Sequence, residues 1–222
     1  MRKLIRLGAK LIMFLIADVT AIGTENLPAN GSFIAASNHL GRVDAILTLT
    51  LIDRSDLILM IAEKYRKSAF WRFVVKHLDA IWLNRFEADF HALRIVVKRL
   101  RQGQFLVIAP EGTRSQQETL MLAKHGTAFL AAKTGAPIIP IALYGTEDRV
   151  IKQNLRRFKR SKIVVQAGAP FTLPPLDHKN RDQYLQAQTD EIMCRIAAML
   201  PPSYHGVYAD HPRLRELTEC EA

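Results

Sequence analysis

The chain has 222 residues, of which 49% are hydrophobic, and this length and composition suit a single domain with an ample core. Its 31 basic and 21 acidic residues give a net charge of +10, so we expect an anionic partner, which could be nucleic acid, anionic lipid or a phosphorylated small molecule. The two cysteines, Cys194 and Cys220, are too few for a disulfide framework and lie in no motif with metal-ligand spacing, which fits a reducing cytoplasmic setting.

The first seventeen residues predict a basic amphipathic helix. Arg2, Arg6 and Lys10 recur every four residues, and the segment ends in the apolar run 11–17, which Asp18 stops. This run is far shorter than the ~20 apolar residues that a membrane-spanning helix needs, and no small-residue cleavage site of a signal peptide precedes the aspartate. The pattern favours a helix lying in a membrane interface, with a helix packed on the core as the alternative.

A short apolar run at 33–36 predicts a buried strand, and the residues after it include His39 and Asp44. On a straight helix two residues five apart lie ~140° from each other, so these side chains can pair only if the chain turns between them, as Gly41 allows. Asp44 would then accept the N–H of one ring nitrogen of His39 and leave the other free to take a proton. A loop histidine followed by a helix aspartate is the alternative for this spacing alone.

Apolar runs and helical segments then alternate along the chain. Strands are predicted at 57–62, 80–83, 105–109, 138–144 and 163–166, and helices at 45–52, 89–101, 118–133 and 183–200. This alternation predicts an α/β fold with a largely parallel sheet flanked by helices. Because active sites in parallel sheets lie at the carboxyl ends of strands, we expect His39, Arg85 and Glu111, which each follow a predicted strand, to share one edge.

Four blocks of sequence carry a resemblance to a known family. They are NHLGRVD (38–44), IWLNR (81–85), PEGTRS (110–115) and APIIPI (136–141). In order and spacing, across about residues 20–170, the chain resembles the glycerolipid acyltransferase superfamily, and most closely its bacterial lysophosphatidic acid (1-acyl-sn-glycerol-3-phosphate) acyltransferases. The first and third blocks in combination are the specific part of this resemblance.

The resemblance implies an acyltransferase of phospholipid biosynthesis. It would move a fatty acyl group from acyl-CoA or acyl-carrier protein to the sn-2 hydroxyl of lysophosphatidic acid, giving phosphatidic acid. His39 would take the proton of the acceptor hydroxyl, with Asp44 orienting the ring. A thioester is already activated, so no metal, cofactor or serine nucleophile is required.

The same resemblance implies a set of substrate-binding residues. Arg85 and Arg114 would hold the acceptor's phosphate, which guanidinium groups can bind through two parallel hydrogen bonds. The acceptor site would be completed by Glu111, Gly112 and Thr113. Outside this set, Lys124 and Pro140 are interpreted as architectural or as lying beside the entry of the acyl donor.

The chain is expected to divide into a membrane-associating helix (1–19), an acyltransferase domain (20–202) and a C-terminal tail (203–222). Two basic-aromatic segments, 64–76 and 149–162, could contact anionic headgroups, nucleic acid or CoA phosphates, or be solvated surface.

We therefore expect a peripheral or monotopic protein on the cytoplasmic face of the membrane, with lipid bilayer, lysophospholipid and acyl donor as partners and no nucleic acid. One alternative is an acyltransferase that uses another lysolipid or an aminolipid. An alternative of a different class is a non-catalytic basic protein that binds membrane or nucleic acid.

Overall fold

A six-stranded sheet forms the centre of the protein in a computed structural model, which describes residues 2–84 and 89–219. The helices are α1 (Arg2–Ile16), α2 (Asp44–Leu51), α3 (Ala69–Leu78), α4 (Phe90–Arg101), α5 (Gly126–Thr134), α6 (Asp148–Arg156), α7 (Arg181–Ala198) and α8 (Pro212–Glu219). The strands are β1 (Ala17–Ile22), β2 (Ile34–Ser37), β3 (Leu57–Ile58), β4 (Met60–Ala62), β5 (Ile81–Leu83), β6 (Phe105–Ile108), β7 (Ile138–Tyr144) and β8 (Ser161–Ala167).

The sheet has the strand order β1-β8-β7-β2-β6-β3, and β4 and β5 form a separate parallel pair. The four strands β7, β2, β6 and β3 run in one direction, whereas β8 is antiparallel to β7 and β1 is parallel to β8. The prediction of an α/β fold with a largely parallel sheet is confirmed. Strand β2 lies between β7 and β6, so the residues that follow it emerge in the middle of the sheet's carboxyl edge.

Both faces of β2 are buried, as is usual for a central parallel strand. Ile34 and Ala36 belong to a core shared with α4, α5 and α7, whereas Phe33 and Ala35 belong to a core shared with α1, α2 and α6. This alternation follows from the two-residue period of a strand. The sheet is therefore covered by helices on both sides, and its carboxyl edge is where polar side chains collect.

Helix α1 packs on α2, and this contact changes the role expected for one of its basic residues. Only 18% of the Arg6 side chain is exposed, because it donates to the carbonyl of Leu49 (3.2 Å) and to that of Ile52, and forms an ion pair with Asp53 (3.2 Å). Arg6 therefore does not contribute to an exposed basic face of α1, since it binds the carbonyls at the end of α2. The exposed side of α1 carries large apolar residues, namely Leu4, Leu7, Leu11, Ile12, Phe14 and Leu15.

Three predicted elements differ from the structure. The strand expected at 57–62 is divided into β3 and β4, which pair with strands of different sheets. The helix expected from 118 begins only at Gly126, because the amides of Leu120, Met121 and Lys124 donate to distant partners instead of to a helix. The basic segment 149–162, for which a solvated loop was one alternative, contains most of α6 and the start of β8.

The residues after α7 pack against the rest of the domain. The amide of Leu120 donates to the carbonyl of Tyr204 (2.9 Å), and that of Ala123 to the hydroxyl of the buried Tyr208 (3.3 Å). Helix α8 lies on α7, to which Arg213 is joined by an ion pair with Glu191 (2.5 Å). The expected tail thus supports the loop that follows the third sequence block. Among residues 2–84 and 89–219, no helix has the length and apolar character needed to cross a membrane.

Candidate active site

The first sequence block leaves the sheet at the end of β2 and folds into a tight turn. Its anchor is Asn38, which is buried and exchanges two hydrogen bonds of 2.8 Å with the backbone of Leu143 on β7. The next residue, His39, has Nδ1 at 2.7 Å from Oδ2 of Asp44, the first residue of α2. The predicted pair is therefore formed, by a turn that reverses the chain before the helix begins.

The carboxylate of Asp44 is the centre of this turn. Its Oδ2 also accepts the backbone N–H groups of Leu40 (2.8 Å) and Gly41 (3.0 Å). Since Oδ2 accepts from Nδ1–H of His39, Nε2 is the ring nitrogen left to exchange a proton. The other oxygen, Oδ1, is buried and has no hydrogen-bond partner among the described residues.

Only glycine fits at position 41, because the backbone of a neighbouring loop occupies the space of a side chain. A Cβ at this position would lie 1.8 Å from the carbonyl oxygen of Thr146, in the loop after β7. A backbone oxygen at that distance leaves no room for any side chain. The turn between the histidine and the aspartate is thus pressed against the neighbouring loop, which fixes where the pair sits.

Residues of the third block hold His39 in place through hydrogen bonds to its backbone N–H and carbonyl groups. Glu111 is 3% exposed; its Oε1 accepts the N–H of His39 (3.0 Å) and its Oε2 accepts that of Met121 (3.0 Å). The amide of Ser115 donates to the carbonyl of His39 (2.8 Å). Burial raises the pKa of Glu111 to about 7, although the two amide hydrogen bonds favour its charged form. The carboxylate thus holds the histidine's backbone, a role that the sequence pattern did not show.

Two arginines meet on one aspartate beside this turn. Arg114 Nη1 lies 2.6 Å from Asp148 Oδ2, and 33% of the arginine side chain is exposed. Arg42 donates its backbone N–H to Asp148 Oδ1 (2.8 Å), and its Nε lies 3.6 Å from Oδ2. Arg42 was missed in the sequence, although it lies inside the first block. Arg85, the other expected phosphate ligand, lies outside the described residues.

The remaining site residues fall into two places. Gly112, with φ +72°, lies under the side chain of Lys124, whose amide donates to the carbonyl of Pro110 (2.8 Å). Thr113 is exposed in the same loop. Pro140 is buried within β7 opposite Ala36, and its carbonyl accepts the amide of Gly168 (2.9 Å). Lys124 thus lies beside the third block, and Pro140 within the sheet.

An apolar cavity opens next to the histidine–aspartate pair, between α2 and the sheet. Asp44 lines it together with mostly aliphatic side chains of β1, α2, β6, β7 and β8, and Thr24, Ser37 and Thr48 are its other polar residues. The principal lining residues are Leu47, Leu51, Val107, Ile141, Leu143 and Val165. Within the described part of the chain, no cluster of three His, Cys, Asp or Glu side chains could hold a metal ion. The site therefore offers a paired histidine, arginines and an apolar cleft.

Comparisons with known proteins identify the family of this chain. The Acyltransferase family model matches residues 18–144, which include all four sequence blocks. The 1-acyl-sn-glycerol-3-phosphate acyltransferase of Bacillus subtilis is 26% identical over 187 residues, which cover 84% of this chain and 90% of that protein. The Salmonella typhimurium protein with the same description is 32% identical over 180 residues, covering 77% and 66%.

A solved structure is similar over the whole chain. The crystal structure of the 1-acyl-sn-glycerophosphate (LPA) acyltransferase PlsC from Thermotoga maritima has a TM-score of 0.68 to this protein. The match covers 100% of this chain and 80% of that one, at 23% sequence identity. At this identity the similarity is one of fold.

Proposed function

This chain belongs to the acyltransferase family, and from that premise we propose that it transfers a fatty acyl group from acyl-CoA or acyl-carrier protein to the sn-2 hydroxyl of lysophosphatidic acid. The product is phosphatidic acid. The observation that carries the proposal is the 2.7 Å pair between His39 and Asp44 at the mouth of an apolar cleft. Relatives described as 1-acyl-sn-glycerol-3-phosphate acyltransferases support the choice of acceptor.

The pair supplies a general base. Nε2 of His39 removes the proton from the acceptor hydroxyl as its oxygen attacks the thioester carbonyl carbon. A C–O ester bond forms, the C–S bond breaks, and the thiolate leaves with the proton returned by the imidazolium. Asp44 fixes the ring's tautomer and stabilises the positive charge while it exists. General-base catalysis of this kind contributes ~10²–10⁴-fold, and the thioester needs no further covalent activation.

Positive charge beside the histidine supports a phosphate-bearing acceptor. Arg114 has one hydrogen bond within the described residues, to Asp148, and a third of its side chain remains accessible. A phosphate group offers the guanidinium a second anionic partner with geometry suited to two parallel hydrogen bonds. Arg42 lies on the same aspartate, and Arg85 is the additional ligand expected from the sequence. Both described arginines belong to loops that contact His39 or its turn.

The aliphatic lining of the cleft supports contact with the apolar part of an acyl chain. Its lining from α2 and the sheet is aliphatic, and it begins at the aspartate of the pair. The cavity has a volume of about 40 Å³ and holds a small part of such a chain, in which each CH₂ group removed from water contributes ~0.8 kcal/mol. The carbonyl end of that chain would then lie next to His39, where the transfer takes place.

The exposed face of α1 supports attachment to a bilayer as a peripheral or monotopic protein, and the cytoplasmic face of the membrane is part of the same proposal. Leu4, Leu7, Leu11, Phe14 and Leu15 are each more than half exposed. Contiguous exposed apolar residues of this size mark sites of contact with membranes or other proteins. Both substrates carry poorly soluble chains, so a lipid surface is where the enzyme would meet them.

The proposal is tested with purified protein in phospholipid vesicles, labelled acyl-CoA and a panel of lysolipids, with each product identified by mass. Acyl transfer to lysophosphatidic acid should greatly exceed transfer to lysophosphatidylcholine or lysophosphatidylethanolamine, and His39→Gln should remove it. Preference for another lysolipid would show that the protein is an acyltransferase of this family with a different acceptor. Vesicle binding with no transfer from either acyl-CoA or acyl-carrier protein would instead support a non-catalytic membrane protein.

A further inference from the structure

The turn that joins α6 to β8 presents an exposed aromatic ring among cations. Phe158 is 100% exposed, and the neighbouring Leu155 is 46% exposed. Residues 149–162 contain seven basic residues and no acidic residue. We refer to residues 155–160 as the basic tip; its exposed cations are Arg156, Arg157, Lys159 and Arg160.

The backbone conformation of the basic tip does not favour a phenylalanine at position 158. Phe158 has φ +52°, shortly after the last residue of α6, where helices usually place glycine or asparagine. The amide of Lys159 closes the helix end by donating to the carbonyl of Asn154 (2.9 Å). A bulky residue in this left-handed conformation is disfavoured, and no packing compensates a fully exposed ring. We therefore infer that the ring of Phe158 contacts a partner outside the protein.

The basic tip lies beside the exposed apolar face of α1. Arg160 donates through Nε to the carbonyl of Ala17 (2.9 Å), at the point where α1 passes into β1. Its guanidinium carbon also lies 5.3 Å from the ring centre of Phe14, which is 67% exposed. Because Arg160 follows Phe158 by two residues, its contact with Phe14 brings the basic tip next to the apolar face of α1.

We propose that the basic tip is a second membrane contact, in which Phe158 and Leu155 enter the headgroup layer of an anionic lipid surface and the surrounding cations bind lipid phosphates. Charge complementarity selects this occupant, because the four cations of the basic tip, with no acidic residue within 149–162, attract an anionic surface. An exposed ring at its apex adds the apolar insertion that a soluble anion does not need. Two contacts on different elements fix how the protein is oriented on the bilayer, which one contact cannot do.

The inference deepens the proposed function, because α6 connects the basic tip to the candidate site. The helix begins at Asp148, which holds Arg114, and its nine residues span about 13 Å at 1.5 Å per residue. Anchoring the far end of α6 therefore keeps the arginines within reach of the lipid surface. Membrane binding itself can be measured without substrate, so it can succeed or fail independently of acyl transfer.

The first experiment replaces Phe158 by glycine in the full-length chain. Glycine suits the left-handed backbone, so the unfolding temperature should not fall. Binding to vesicles of phosphatidylglycerol, measured by sedimentation, should weaken about tenfold, as for loss of one partly buried aromatic ring. Phe158→Asn, which also suits this backbone, should behave alike, and Phe158→Leu should restore most of the binding.

Phe90 provides the matched control, because it is 66% exposed on α4, which packs on the opposite face of the sheet. Phe90→Ala should leave vesicle binding unchanged. Wild-type affinity in both the glycine and the asparagine variants at position 158 would overturn the proposal, as would an equal loss in the Phe90 variant.

A second experiment separates lipid headgroups from free phosphates and from an acidic protein donor. Arg156→Gln combined with Arg157→Gln should weaken binding to phosphatidylglycerol vesicles about thirtyfold, at roughly fivefold per cation, and should flatten its salt dependence. Binding to phosphatidylcholine vesicles should change little. If these vesicle affinities stay the same while the KM for acyl-CoA or acyl-carrier protein rises in detergent solution, the cations serve the donor and the proposal is wrong.

Discussion

Charged side chains lie at both edges of the central sheet, and they differ in how completely their hydrogen bonds are formed. At the amino edge Arg54 makes five hydrogen bonds, two to Asp56 and three to the carbonyls of Pro28, Gly31 and Gly103. Its guanidinium also stacks on two phenylalanine rings, which lie at the starts of β2 and β6. This cation has little capacity left for a ligand.

At the carboxyl edge the polar groups keep unused capacity. Asp44 has one buried oxygen without a hydrogen-bond partner in the described chain, and a third of Arg114 is exposed. Glu111 is buried far enough that its pKa rises to about 7. Buried polar groups with incomplete hydrogen bonding lower stability, and strain of this kind collects at functional sites. The difference indicates that the amino edge stabilises the fold, and it is consistent with the proposal that the carboxyl edge is the active site.

The largest expected effect is at the carboxyl edge. His39→Ala should lower kcat by ~10²–10⁴-fold, because no other group replaces the base. The unfolding temperature should change little, since the fold keeps the backbone bonds of residue 39 to Glu111 and Ser115. The exposed His91 is the control, and His91→Ala should leave kcat unchanged. Near wild-type turnover in the His39 variant, measured with saturating substrates, would rule out the proposed base.

The amino edge should respond in the opposite way. Arg54→Met keeps most of the side-chain volume but leaves three carbonyls and Asp56 without their donor. We expect a loss of about 2–4 kcal/mol in the free energy of unfolding, with activity per folded molecule unchanged. The control is Arg66→Met, because its ion pair with Glu63 is exposed on both sides and should contribute less than about 1 kcal/mol. Urea titrations of both variants measure the difference.

The sequence predicts one edge far better than the other, for a physical reason. The carboxyl edge uses contiguous blocks, so His39, Asp44 and Glu111 could be identified before their positions were known. The cluster around Arg54 joins residues from three separate chain segments, 28–33, 54–56 and 103–105, and such a cluster leaves no local pattern. Alternation of apolar runs predicted the buried strands, but it missed β1, an edge strand whose residues are mostly exposed.

Some contacts of the site could not be predicted from the sequence because they involve backbone groups. The two hydrogen bonds of Glu111 are to amides of His39 and Met121, and any residue type supplies an amide. Asp148 is distant in sequence from the arginines that it holds. The blocks therefore predicted the pairing of His39 with Asp44, whereas the place of Arg42 and the contacts of Glu111 and Asp148 required the three-dimensional structure.

The raised pKa of Glu111 makes stability depend on pH, from its usual value of 4.5 to about 7. In this interval the folded protein holds a proton that the unfolded chain has released, so stability decreases as pH rises and this contribution levels off above about pH 7. The full loss is roughly 3 kcal/mol at ~1.4 kcal/mol per pH unit. The Glu111→Gln variant should be less stable than wild type at pH 5, because its amide cannot accept from both N–H groups. Its free energy of unfolding should not decrease between pH 5 and 7, because the amide does not titrate. Unfolding titrations from pH 5 to 8 compare the two proteins, and equal slopes would show that Glu111 is ionised throughout.

The smallest expected effect tests whether Arg114 differs from Arg54 in serving a ligand. Arg114→Lys keeps the charge and can still pair with Asp148, so the free energy of unfolding should stay within about 0.5 kcal/mol of wild type. The planar fork is lost, and with it the second hydrogen bond to a phosphate, so the KM for lysophosphatidic acid should rise about tenfold. The KM for acyl-CoA should stay the same. Arg149→Lys is the control, because Arg149 makes an exposed pair with Glu118 and should affect neither KM. A rise in the acyl-CoA KM alone would place Arg114 at the donor, and the carboxyl edge would then bind the acceptor through other residues.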